Sequence, residues 1–162
     1  MDLYLVRHAV AHNRDPARWP DDSGRPLTPE GEEDFRAVAR KLGRMAPGVQ
    51  AVLSSPFARA WRTAEILAET TEWPAPKSFT PLQPDIPPRE VVKELVPYSR
   101  VESLALVGHR PCIHQLAAYL LTGDPDGLDI KIKKGGVVCI RFGAENSTGK
   151  LRWLLIPEML RD

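Results

Sequence analysis

Four side chains stand out as able to do chemistry: Arg7, His8, Arg59 and His109. Arg7-His8 closes the apolar run Leu3-Tyr4-Leu5-Val6, and His109 closes Leu104-Ala105-Leu106-Val107-Gly108. A charge at the mouth of an apolar strand is costly unless an anion compensates it. Arg59 follows Ser54-Ser55-Pro56 and falls in the first turn of a helix, where free N–H groups and the positive end of the helix dipole also favour an anion. A lone histidine at a strand end can simply cap its neighbours. Two such histidines, each with arginine close by, point instead to an anion-binding site.

The elements that must position these groups read off the hydrophobic pattern. The runs at 3–6 and 104–107 fit buried parallel strands, and residues 49–53 fit a third that ends on Ser54-Ser55. Residues 13–26 are polar and proline-spotted, a loop. Thr28 before Pro29 predicts a helix N-terminus, with Phe35, Val38, Ala39 and Leu42 on its inner face and Gly43 near its end. A second helix over 57–69 is expected to bury Phe57, Trp61, Ala64, Leu67 and Ala68. Residues 71–88 hold six prolines and read as a surface loop. Pro88 then opens a short helix with Val91, Val92, Leu95 and Val96 inward, and a further helix is expected over 111–121. Residues 137–142 and 151–156, separated by Gly, Asn and Ser, suggest a closing hairpin. Strands alternating with helices predict an α/β three-layer α/β/α sandwich on a mostly parallel central sheet. The chain reads as one domain over 1–162. In such sheets ligands bind beyond the carboxyl ends of the strands, so the three polar strand ends should meet there.

Composition narrows the function classes. The 162 residues carry 22 Lys plus Arg and 21 Asp plus Glu, a formal net charge of +1. That balance lacks the basic excess of a nucleic-acid binder. No apolar run approaches a membrane span, and no leader pattern begins the chain, so a cytoplasmic protein is expected. Cys112 and Cys139 sit among apolar neighbours and read as reduced, buried thiols. The four histidines His8, His12, His109 and His114 lack metal-ligand spacing: His8 and His12 straddle a strand end and a loop, and His109 and His114 are five apart. Arg62 reads as solvent-facing.

Three of these segments resemble one family. Leu5-Val6-Arg7-His8-Ala9 resembles the strand-end Arg-His signature of the histidine phosphatase superfamily, with Ala9 in the place of the usual glycine. Ser54-Ser55-Pro56-Phe57-Ala58-Arg59-Ala60 with Thr63-Ala64 is similar to the segment bearing its second phosphate-binding arginine. Val107-Gly108-His109-Arg110-Pro111 is similar to the segment with its second histidine. Arg25-Pro26-Leu27-Thr28 with Gly31 resembles the short, SixA-type phosphohistidine phosphatase branch. The resemblance implies a phosphoglycerate mutase-like fold and a metal-independent phosphatase with no cofactor. It makes His8 the nucleophile that becomes phosphorylated, and Arg7, Arg59 and His109 the phosphate pocket.

The resemblance also shapes the substrate expectation. Many relatives carry a glutamate as general acid after the second arginine, whereas this chain reads Phe79-Thr80-Pro81-Leu82-Gln83-Pro84-Asp85. Positioned acid catalysis is worth about 10²–10⁴ in rate. An alkoxide leaving group needs that help more than an imidazole does, which favours phosphohistidine on a signalling or phosphotransfer protein. Small phosphoesters or phosphoanhydrides are the alternative substrates, and a non-catalytic phosphate- or phosphoprotein-binding module is the alternative of another class. Asp15, Asp21, Asp22 and Asp85 are the remaining acid candidates, each also readable as a solvated loop carboxylate. A chain this short leaves little material for a lid, so a shallow, open site is expected. Lys131, Lys133 and Lys134 either edge that site or form a solvated basic loop.

Overall fold

The computed structural model describes residues 1–143 and 148–160. Six strands form one sheet: β1 (Asp2–Arg7), β2 (Ala51–Ser54), β3 (Lys77–Ser78), β4 (Ser103–Gly108), β5 (Val137–Arg141) and β6 (Lys150–Leu155), in the order β3-β2-β4-β1-β5-β6. β1 to β4 run parallel, β5 is antiparallel to β1, and β6 is antiparallel to β5. The period-2 alternation of the strands splits the core in two. Tyr4, Val6, Val52, Ala105 and Val107 face the layer built by α1 (Pro29–Met45) and α2 (Ala58–Thr70). Leu3, Leu5, Leu53, Leu104 and Leu106 face α3 (Pro88–Glu94) and α4 (Cys112–Thr122). The three-layer α/β/α sandwich expected from the pattern is the observed architecture.

α1 begins where the sequence places it. Thr28 Oγ1 accepts the N–H of Gly31 at 2.9 Å, with Pro29 at the first helical position. Gly31 presses so closely on the Val10 carbonyl that a Cβ there would collide with it. That contact docks α1 onto the segment leaving β1. The loop between them is pinned by Arg25, whose guanidinium donates to the His12 carbonyl at 2.6 Å and to Asp22 at 2.8 Å.

Three expectations need correction. The proline-rich stretch 71–88 includes the two-residue edge strand β3 and a 3₁₀ turn over Thr80–Leu82. Val96 is 67% exposed, because α3 stops at Glu94 and a 3₁₀ turn carries Val96 outward. α2 buries Ala60, Ala64, Ile66 and Leu67 together with Arg59 and Thr63, while Phe57, Trp61 and Ala68 are only half-buried. α1 ends at Met45, two residues past Gly43, as the pattern expects. The expected hairpin is β5 and β6, but Asn146 and Ser147 of its connection lie outside the described residues. Cys112 and Cys139 are buried and unpaired, and burial pushes their thiols up to about 12 and about 11.

Candidate active site

The sheet order sets β4 between β2 and β1, so three strand ends that are distant in sequence become neighbours. Arg7 pairs with Gly108, and Ser54 with Val107. One step beyond, the His8 N–H donates to the Gly108 carbonyl at 3.0 Å and the Ser55 N–H to the Val107 carbonyl at 3.0 Å. The His8 and His109 rings consequently lie 5.2 Å apart. Arg59 enters from the first turn of α2. Thr63 locks that turn to the backbone just after His8, donating to the Arg59 carbonyl at 2.7 Å and accepting the Ala9 N–H at 3.0 Å.

The imidazole of His8 is fixed by the main chain beside it. Its Nδ1 lies 2.7 Å from the Ala9 carbonyl, an acceptor only, so the ring proton sits on Nδ1 and Nε2 keeps its lone pair. Burial, then Arg59 and Arg7, then Lys134 hold His8 down to about 3, so it is neutral at physiological pH. His109 is 1% exposed and is pushed down to about 2, first by burial and then by His8 and Arg59. Its Nε2 meets Ser55 Oγ at 2.8 Å, and Ser55 Oγ already accepts the Phe57 N–H at 3.3 Å. We assign the Ser55 hydroxyl proton to His109 Nε2, which places the ring proton of His109 on Nδ1. That atom is buried with no partner.

Both arginines are similarly half-engaged. Arg7 donates through Nη1 to the Ile132 carbonyl at 2.9 Å, and Arg59 through Nη1 and Nη2 to the Asp22 carbonyl and carboxylate at 3.0 and 3.1 Å. The Nε of each is buried without a partner. Burial is the main influence drawing each guanidinium below its ordinary pKa. Buried polar groups are normally satisfied, so three partnerless donors in one place mark a site that awaits an acceptor. A tetrahedral oxyanion supplies several.

The remaining candidates separate clearly. Asp22 reaches the cradle, but as the shared counter-ion of Arg25 and Arg59; its bond to Arg25 leads in holding it below the usual carboxylate range, so it is no proton donor. Asp15 and Asp21 accept turn N–H groups at Ala17 and Ser23, and Asp85 is exposed. Lys131, Lys133 and Lys134 line a cleft of about 370 Å³ together with Arg7 and Ala9. Lys133 pairs there with Glu158 at 3.0 Å. Against the expectation of a shallow site, His8, Arg59 and His109 are recessed, at 6%, 4% and 1% exposure.

Among the described residues no cluster of His, Cys, Asp and Glu is arranged to hold a metal ion. His12 packs on Trp19, and His114 Nε2 accepts the Ile132 N–H at 3.2 Å. The sequence places Ser55 at a polar strand end of the site but gives no individual role to Ser55, Thr63 or Phe57. Phe57 packs edge-on to His109 and beneath Arg59, at 5.2 and 5.3 Å. Its signal was adjacency to Arg59, masked by its assignment to the core face of α2.

The family model described as histidine phosphatase superfamily (branch 1) matches residues 3–80. Phosphohistidine phosphatase SixA of Escherichia coli (strain K12) is 30% identical over 160 residues, covering 97% of this chain and 94% of that protein. The chain belongs to the histidine phosphatase superfamily. It is a phosphatase of the SixA type. An uncharacterized protein of Picosynechococcus sp. is 34% identical over 146 residues, 89% of this chain and 87% of its own length. The structure of the protein histidine phosphatase SixA complexed with tungstate superposes with a TM-score of 0.87 at 25% identity, covering 99% of this chain and all of that one. The sandwich is therefore the phosphoglycerate mutase-like fold of SixA. No helix among the described residues is long and apolar enough to cross a membrane.

Proposed function

We propose that this phosphatase hydrolyses phosphohistidine on a protein through a covalent phospho-His8 intermediate. The observation that carries the reading is the His8 tautomer: Nδ1 is committed to the Ala9 carbonyl, so Nε2 is a neutral nucleophile beside partnerless donors of Arg7, Arg59 and His109. Phosphoryl transfer depends mainly on such positioning and charge compensation. Nε2 attacks phosphorus in line, the substrate P–N bond breaks, and the substrate imidazole leaves with the electron pair. The guanidiniums of Arg7 and Arg59 and the Nδ1–H of His109 hold the equatorial oxygens as charge redistributes. Water then attacks the same phosphorus, the bond to Nε2 breaks, and inorganic phosphate leaves with His8 restored.

The leaving group follows from what surrounds the cradle. Asp22, the carboxylate bonded to Arg59, is held ionised, and residues 79–85 supply no glutamate. An imidazole protonated at its other nitrogen departs neutral without an enzymic acid, whereas an alkoxide does not. The E. coli relative bears the name phosphohistidine phosphatase, which points the same way.

His8→Ala tests the mechanism. It should abolish turnover of an aryl phosphate and the acid-labile labelling of the protein by a phosphodonor; retained turnover overturns it. Comparing kcat/KM on a histidine-phosphorylated carrier protein with that on a panel of phosphate metabolites tests the substrate. A preference for any metabolite overturns that part and leaves the nucleophile intact.

A further inference from the structure

His114 stands on α4, outside the cradle, yet hydrogen bonds link it to Arg7. Its Nε2 accepts the N–H of Ile132 at 3.2 Å, and the carbonyl of the same Ile132 accepts from Arg7 Nη1 at 2.9 Å. Residues 128–133 form neither helix nor strand, so no ladder of backbone bonds fixes that carbonyl. Ile132 is instead held by its side chain, 1% exposed in the α3/α4 core, and by His114. Three residues on, the Gly135 N–H donates to the carbonyls of Arg7 and His8 at 3.1 and 2.9 Å, so the segment also closes back on the end of β1.

We propose that His114 is a positioning residue for Arg7: its neutral Nε2 fixes Ile132, so that the Ile132 carbonyl aims the Arg7 guanidinium at the phosphoryl group. An imidazole nitrogen that accepts an N–H must be unprotonated, which puts the His114 proton on Nδ1, an atom buried without a partner. Among the described residues no carboxylate is paired with Arg7, whose side chain leaves the end of β1 toward the Ile132 carbonyl, whereas Arg59 has Asp22. The Ile132 carbonyl orients Arg7, and His114 holds the main chain of the residue that carries it. A guanidinium displaced by about 1 Å loses much of its value in an oriented site.

The inference rests on Arg7 as a phosphate ligand, and the experiment separates the two ideas. Vanadate affinity and aryl phosphate turnover are measured for wild type, His114→Ala, His114→Gln, Arg7→Lys and the double variant Arg7→Lys/His114→Ala. His114→Ala should weaken vanadate binding and kcat/KM about tenfold. Gln places an acceptor oxygen near the Nε2 position and should restore most of the loss. In the Arg7→Lys background, where the fork to be aimed is gone, His114→Ala should have less than about a twofold further effect, because residues acting through one contact are not additive. Equal losses in both backgrounds, or a Gln variant no better than Ala, would overturn the positioning role, since a merely structural histidine gives that result. Unchanged vanadate binding in Arg7→Lys would instead sink the reading of Arg7 itself.

Discussion

Arg59 and Arg62 lie three residues apart on the same helix and end in opposite circumstances. Arg62 is fully occupied: its guanidinium reaches Glu32, Glu65 and Glu69 at 2.6–3.2 Å, and those bonds push its pKa up. Arg59 is more deeply buried, yet it has one carboxylate, shared with Arg25, and a buried Nε with no partner. A stability-driven fold would arrange the reverse, because a buried unsatisfied donor is destabilising and an exposed ion pair adds little. The lesson is that the site is recognisable by the bonding its charges lack, and Arg62 shows what the same residue type looks like when the protein satisfies it.

The sharpest way to break this comparison is to truncate each arginine. Arg59→Ala should lower kcat/KM by about 10²–10³, in the range for losing a preorganised charge donor, while the melting temperature changes little. Arg59→Lys should recover only a small part, because an ammonium lacks the planar fork. Equal activity in Arg59→Ala and wild type would remove Arg59 from the reaction.

A smaller effect is expected one step out. Ser55→Ala takes away the hydroxyl that fixes His109, and kcat should fall about tenfold with KM nearly constant. Nitrogen NMR of the labelled ring should then show mixed tautomers, and a single unchanged tautomer would contradict the assignment.

The cradle also has a pH signature in the histidine range. His8 and His109 are held near 3 and near 2, below the roughly 6.5 of an unfolded chain. Below that value the unfolded state binds protons that the native state refuses. Stability should therefore be full above about pH 6.5 and fall as the pH drops, by up to about 1.4 kcal/mol per pH unit for each histidine. Urea denaturation between pH 7 and pH 4 measures this, and a His8→Ala/His109→Ala protein should show a flatter dependence. The smallest change is that of Arg62→Ala: about 1 kcal/mol of stability, or a melting shift of about 2–4 °C for a chain of this size, with turnover unaltered.

What could be read from the residues alone follows from how local each signal is. The strands at 3–6 and 104–107 announce themselves by continuous apolar runs, and the rule about strand ends brings His8 and His109 together without further information. Thr28-Pro29 likewise fixes the start of α1 through a contact three residues away. The edge strand β3 is only two residues long and has no periodicity to detect. Val96 kept helical spacing with Val92, but the backbone left the helix before reaching it. Arg62 reads as solvent-facing in the sequence because Glu32, one of its partners, is 30 residues away on a different helix. The role of Asp22 was hidden in the same way, since Arg59 is 37 residues distant and nothing in a polar loop distinguishes a counter-ion from a solvated carboxylate.

The bond between His8 and the Ala9 carbonyl has an evolutionary corollary. Its acceptor is a peptide oxygen, which every amino acid carries, so exchange of the neighbouring side chain leaves the His8 ring proton where it is. Ala in the place of the family's usual Gly illustrates that latitude. The real bounds on position 9 are steric, at 2% exposure, and the need for an amide hydrogen to meet Thr63, which proline cannot provide. Position 9 can thus change its side chain without disturbing the His8 tautomer.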